Sequence, residues 1–172
     1  MSGRLGALVL IVVALASAAN ARERAEGPAL PSAQEVAVVA VMQDSRTQHP
    51  VIVLEGKRDK RQLVIAIGPA EATSIAVPLQ GVATVRPLTH DLFLTLFGRL
   101  QVTLSRVVIT DLQDGIYYAI LYLQSATTPL QLDARPSDAI ALALRAKIPV
   151  FVEARVFDKS ELSTPSPRRQ QI

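Results

Sequence analysis

Asp133, Arg135 and Asp138 stand within the six-residue stretch Asp133 to Asp138, and their types could hold both a cation and an anion. Asp133 and Asp138 straddle a turn and could share a hard cation such as Mg2+ or Mn2+, which prefers oxygen ligands. Arg135 lies between them with the forked donors that grip an oxyanion at two points. Pro136 suits the first position of a helix, so Asp138 falls in its first turn, where unpaired N–H groups favour a carboxylate. The same positions admit a structural role, with Asp138 stabilising the helix start and Asp133 pairing with Arg135.

The elements that must position these groups follow from the pattern around them. Residues 136–147 carry Ala, Leu and Ile on almost every face, the mark of a buried helix whose polar N-terminus is its exposed end. A strand at 130–133 leads into it. Pro69-Ala70-Glu71-Ala72 aligns with Pro136-Ser137-Asp138-Ala139 at an offset of 67 residues, 138 minus 71, and also joins a strand to a helix. This echo makes Glu71 a third candidate carboxylate. It reads either as a strand-helix pseudo-repeat about a twofold axis or as one local way of starting a helix used twice.

Further strands are expected at 35–42, 50–55, 63–67 and 150–152, with a solvated charged tip at Gly56-Lys57-Arg58-Asp59-Lys60-Arg61. Pro78 is expected to end or kink the helix that opens at Pro69. A helix over 88–97, capped by Thr89, has Leu92, Leu96 and Leu100 at helical spacing and places His90 and Asp91 in its first turn. His90 could serve there as acid or base with Asp91 beside it, although polar residues are common in first turns for structural reasons alone. Strands at 107–111 and 116–124 meet at Asp114-Gly115, the pairing a tight hairpin prefers. Asp111 and Asp114 are therefore turn residues. Together these elements predict an α+β protein, a single compact domain with a mainly antiparallel or mixed sheet and about three helices.

Composition bounds what such a domain can be. The 172 residues are 49% hydrophobic and 19% charged, enough for one core built from Val, Ile, Leu and Ala, since aromatic residues make up only 4% and Trp is absent. A formal charge of +3 permits nucleic acid as a partner without requiring it. The absence of Cys excludes disulfides and a lipid-modified N-terminal Cys. Zinc-type His spacing, a Gly-rich phosphate loop, a serine nucleophile elbow and an aromatic stacking series are also missing from the sequence. Arg4 precedes an apolar run over 5–19 and small residues at Ala19-Asn20-Ala21, which reads as a signal peptide over 1–21 cut after Ala21. An uncleaved anchor is the alternative. A linker over 22–33, a domain over 34–158 and a disordered tail over 159–172 complete the expected layout. The protein is expected to be exported, periplasmic or secreted, with no membrane contact beyond the signal segment.

Four ordered stretches resemble the bifunctional nuclease domain family, earlier catalogued as a domain of unknown function. They are Ile67-Gly68-Pro69-Ala70-Glu71-Ala72, Arg86-Pro87-Leu88-Thr89-His90-Asp91-Leu92, Val107-Val108-Ile109-Thr110-Asp111-Leu112 with Asp114-Gly115, and Asp133 through Arg145. The likeness runs from about Val51 to Phe157. It implies a compact α+β domain that self-associates and a nuclease acting on DNA and RNA. Two features depart from the usual pattern, Pro78 within a segment that is normally continuous helix and the exported N-terminus.

Phosphodiester hydrolysis needs an activated water, neutralised phosphoryl charge and a protonated leaving oxygen. On this resemblance Asp133, Asp138 and Glu71 are candidate metal or water-activating groups, with Asp133 and Asp138 as ligands of Mg2+ or Mn2+. Arg135 is the candidate phosphate clamp, Arg145 a second one if its helix curls towards the site, and His90 with Asp91 the candidate acid or base. The residues leave a second class open. The domain could be a non-catalytic binding or oligomerisation module of the cell envelope, its acids serving helix ends and its apolar surface pairing subunits.

Overall fold

Branched and aromatic residues pack well on a pleated face, and the Val- and Ile-rich runs of this chain form strands accordingly. The structure, a computed structural model, describes residues 32–163. The expected signal peptide, nearly all of the expected linker and the chain beyond residue 163 lie outside the described residues. In chain order the elements are β1 (Ala33–Gln43), β2 (Pro50–Gly56), β3 (Gln62–Ala66), α1 (Pro69–Leu79), α2 (Thr89–Arg99), β4 (Thr103–Gln113), β5 (Ile116–Gln124), β6 (Leu130–Ala134), α3 (Pro136–Ala146), β7 (Val150–Glu153) and α4 (Ala154–Ser163).

The strands form one sheet in the order β3-β2-β1-β7-β4-β5-β6. Every neighbouring pair is antiparallel except β4 with β7, which are parallel. A parallel partner requires a crossover, and α3 belongs to the connection that supplies it. The order also shows the internal echo at the level of topology, because β1-β2-β3-α1 and β4-β5-β6-α3 are each a three-stranded meander followed by a Pro-initiated helix. β7 sits on the seam between the two meanders.

Alternation along the strands sends Val36, Ile52, Leu54, Leu63 and Ile65 of the first meander and Val107, Ile109, Ala119 and Leu121 of the second into one buried cluster. Ile75 of α1, Ala139 to Ala143 of α3, and Val156 and Phe157 of α4 join it. Asp114 and Gly115 turn the β4–β5 hairpin with φ of 50° and 80°, the left-handed pair that the sequence chemistry anticipates.

The α+β class expected from the sequence is present, with four helices among the described residues rather than about three. The fourth, α4, continues to Ser163 through residues assigned to the tail. Arg61 holds it by stacking its guanidinium 4.7 Å from the Phe157 ring centroid and bonding Asp158 at 2.7 Å, while Lys159 bonds Asp111 at 2.6 Å. α1 runs through Pro78 to Leu79 instead of stopping at it. Thr89 does not cap α2. It is the first helical residue, and the carboxylate of Asp91 accepts the Leu88 N–H at 2.8 Å in its place. No helix among the described residues is long and apolar enough to cross a membrane.

Candidate functional site

The first turns of α1, α2 and α3 each contribute one polar side chain to a single network. Pro136 starts α3 with Arg135 as its extended N-cap residue, and the Arg135 side chain folds back over the first turn. Its Nε donates to Asp138 Oδ2 at 2.7 Å and its Nη2 to Asp138 Oδ1 at 3.1 Å. Its Nη1 lies 3.0 Å from Glu71 Oε1 on α1. From α2, His90 Nε2 meets Asp138 Oδ1 at 3.2 Å. The two acids matched by the sequence echo thus share one guanidinium, and three helix N-termini bring their partial positive charge to the same place.

The Arg135 side chain remains 65% exposed, so the cation is presented to solvent while held from behind by two carboxylates. Burial pushes the Asp138 carboxyl up, but the hydrogen bonds and charges of Arg135 and His90 outweigh it and hold the group below the usual carboxylate range. Asp138, followed by Glu71, raises Arg135 above its ordinary value. An ionised carboxylate only accepts, so His90 Nε2 carries the proton of the His90–Asp138 bond. In the neutral ring Nδ1 then keeps its lone pair, and this buried atom has no hydrogen-bond partner among the described residues. The His90 side chain is 11% exposed.

Two clefts border the network. One, about 400 Å3, is lined by Glu71 and Arg135 together with His49, Gly68, Tyr117 and Ser137. The other, about 280 Å3, is lined by His90 and Asp138 with Phe93, Phe97, Leu132 and Leu142. His49, Phe93 and Phe97 were not singled out from the sequence, and no local signal marks His49, which sheet pairing carries there from the β1–β2 turn.

The remaining candidates fall elsewhere. Asp133 also borders the smaller cleft, but its register pairs it with Ile120, whereas Leu132 and Ala134 pair with core-facing Leu121 and Ala119. Alternation therefore sets Asp133 in the row of the opposite sheet face, and no contact ties it to Arg135 or Asp138 among the described residues. Asp91 and Arg145 bond each other, Nε to Oδ1 at 2.9 Å, with Arg145 7% exposed. Arg145 Nη1 also donates to the carbonyls of Ser74 at 2.6 Å and Ala141 at 3.0 Å. Its donors tie α1, α2 and α3 together, so α3 does not bring it to Arg135 as a second anion clamp.

Glu71 and Asp138 offer the oxygen donors a hard cation prefers, and a guanidinium stands between them. Among the described residues no group of three or more His, Asp or Glu side chains is arranged to hold a metal ion.

The bifunctional nuclease domain matches residues 52–165 of this chain. An uncharacterised protein of Mycobacterium tuberculosis is 40% identical over 131 residues, which cover 76% of this chain and 78% of the relative. Bifunctional nuclease 1 of Arabidopsis thaliana is 30% identical over 132 residues, 69% of this chain and 40% of the plant protein. Bifunctional nuclease 1 of Oryza sativa subsp. indica is 28% identical over 131 residues, 73% of this chain and 39% of the plant protein. The chain therefore aligns with about two fifths of the length of these plant proteins. With the network of Glu71, His90, Arg135 and Asp138 inside the matched stretch, the chain belongs to the bifunctional nuclease domain family.

Proposed function

We propose that this protein is an exported nuclease that hydrolyses phosphodiester bonds of DNA or RNA with the help of a divalent ion, Mg2+ or Mn2+. The observation that carries the reading is Arg135, a solvent-facing guanidinium fixed where three helix N-termini meet, one bond away from the His90–Asp138 pair. Arg135 binds the phosphate and neutralises charge that grows on its oxygens. His90 takes a proton from the attacking water and returns it to the oxygen that leaves phosphorus as the P–O bond breaks, while Asp138 fixes the tautomer and stabilises the imidazolium. Glu71 holds Arg135 in line. A bound divalent ion would add charge neutralisation and lower the pKa of water. Glu71 and Asp138 would hold it. Export is supported by the apolar run over 5–19 and the small residues ending at Ala21.

The test uses protein recovered from the periplasm or medium, with Arg22 as its expected first residue. It is incubated with single-stranded and duplex DNA and with RNA, in Mg2+, Mn2+ or EDTA. Cleavage that requires the metal is expected. His90→Ala and Asp138→Asn should each lower the rate about a hundredfold or more, the scale of a general base, while the fold persists. Undiminished cleavage in both variants overturns the roles given to His90 and Asp138, and none by the wild type favours instead a non-catalytic assembly module of the same fold. The specific support for that second reading is the row of Leu92 and Leu96 on α2 with Leu100 at its C-cap, each half exposed or more and suited to pairing subunits in a homo-oligomer.

A further inference from the structure

The smaller cleft places large apolar side chains beside the charged network of His90, Asp138 and Arg135. Phe93 is 46% exposed and Leu132 47% exposed, while Phe97 beside them packs against the core. Phe93 and Phe97 lie edge to face, with ring centroids 6.3 Å apart and planes at 67°. His90 and Asp138 also line the cleft, and Asp138 is bonded to Arg135. An occupant must therefore join an apolar, aromatic-compatible body to an anion one short linkage away. A nucleotide has that layout, with a flat base, a sugar and a phosphate.

We infer that this cleft binds an unpaired nucleobase of single-stranded nucleic acid whose neighbouring phosphate sits on Arg135. The inference rests on the nuclease reading for the phosphate position and narrows the substrate class. In a duplex both faces of a base are stacked and its edge is paired, so it cannot enter a cleft lined by Phe93, Phe97 and Leu132 without leaving the helix. An unpaired base enters freely. It contacts aromatic and aliphatic surface without regard to its identity, which predicts strand-form selectivity with little sequence preference.

Binding is measured with the full mature protein in EDTA, by fluorescence anisotropy of a short labelled single strand, its duplex and an abasic strand of equal length. The single strand should bind about tenfold tighter than either of the others, the effect expected of one stacked base. Phe93→Ala and Leu132→Gln, both at half-exposed positions, should each remove about that tenfold and leave the melting temperature unchanged. Equal affinity for the abasic strand or duplex, or unchanged single-strand affinity in both variants, overturns the inference. So does a change of oligomeric state in Phe93→Ala with affinity intact, which makes the cleft a subunit contact. Cleavage assays separate the two proposals. Equal rates on single strand and duplex overturn the base cleft and leave the nuclease standing, whereas selective single-strand binding without cleavage does the reverse.

Discussion

Arg135 is held by Asp138 and also by Glu71, and Glu71 owes its own position to a glycine. A Cβ built at Gly68 would lie 2.3 Å from Glu71 Oε2, so that carboxylate occupies space only a missing side chain leaves open. The Gly68 backbone, at φ −77°, is one alanine adopts without strain. Gly68→Ala should therefore swing the flexible Glu71 carboxylate away from Nη1 and leave the fold intact. The lost pair is partly exposed, so stability should change by less than about 1 kcal/mol. Nuclease kcat/KM should fall about tenfold or more, because a guanidinium displaced by an ångström no longer meets the phosphate in line. Glu71→Gln, which retains shape and one acceptor, should fall less. A loss of melting temperature in Gly68→Ala without a loss of activity would show that Glu71 serves only the start of α1.

Pro78 and Arg145 explain each other at the scale of the helices. Proline has no N–H, so Pro78 leaves the carbonyl of Ser74, four residues earlier, without its helical donor. Arg145 Nη1 supplies that donor from α3, and its Nε holds the Asp91 carboxylate that closes the start of α2. Arg145→Ala should cost about 2–3 kcal/mol, since it strands a carbonyl and a half-buried carboxylate. In a Pro78→Ala background, Ser74 regains a helical partner and the cost should shrink by about 1 kcal/mol. Denaturant titration of the four proteins measures this, and additive costs would rule the coupling out. The vacant carbonyl could have been read from Pro78 alone, but not which residue fills it. Legibility followed the same line elsewhere. The seven strands and three Pro- or acid-started helices are written in alternation and first-turn chemistry, and Leu130 and Leu132 already set Asp133 on the other face. α4 was missed because, among its described side chains, only Val156 and Phe157 carry its burial and its anchors Arg61 and Asp111 are distant in sequence. The insertion of β7 between the two meanders leaves no local trace.

That seam strand governs how the whole molecule should unfold. Two similar meanders could in principle melt one after the other, yet Val150 and Val152 of β7 face the core between Val36 and Gln34 of β1 on one side and Val107 and Ile109 of β4 on the other. The buried cluster is continuous across this line, so opening either half exposes apolar surface of its neighbour. The chain has a built-in means of asking whether the halves move together. Its three tyrosines, Tyr117, Tyr118 and Tyr122, all lie on β5 in the second meander, and Trp is absent. Tyrosine fluorescence therefore reports that half alone, while far-ultraviolet circular dichroism reports both. Coincident urea transitions by the two probes are expected for the wild type. Val152→Ala, at a fully buried position on the seam, should lower stability by about 2 kcal/mol and shift both transitions equally. If dichroism is lost at lower urea than tyrosine fluorescence, the first meander unfolds independently. The common core would then be two cores in contact, and the network that joins Glu71 of one half to Asp138 of the other would form only after they dock.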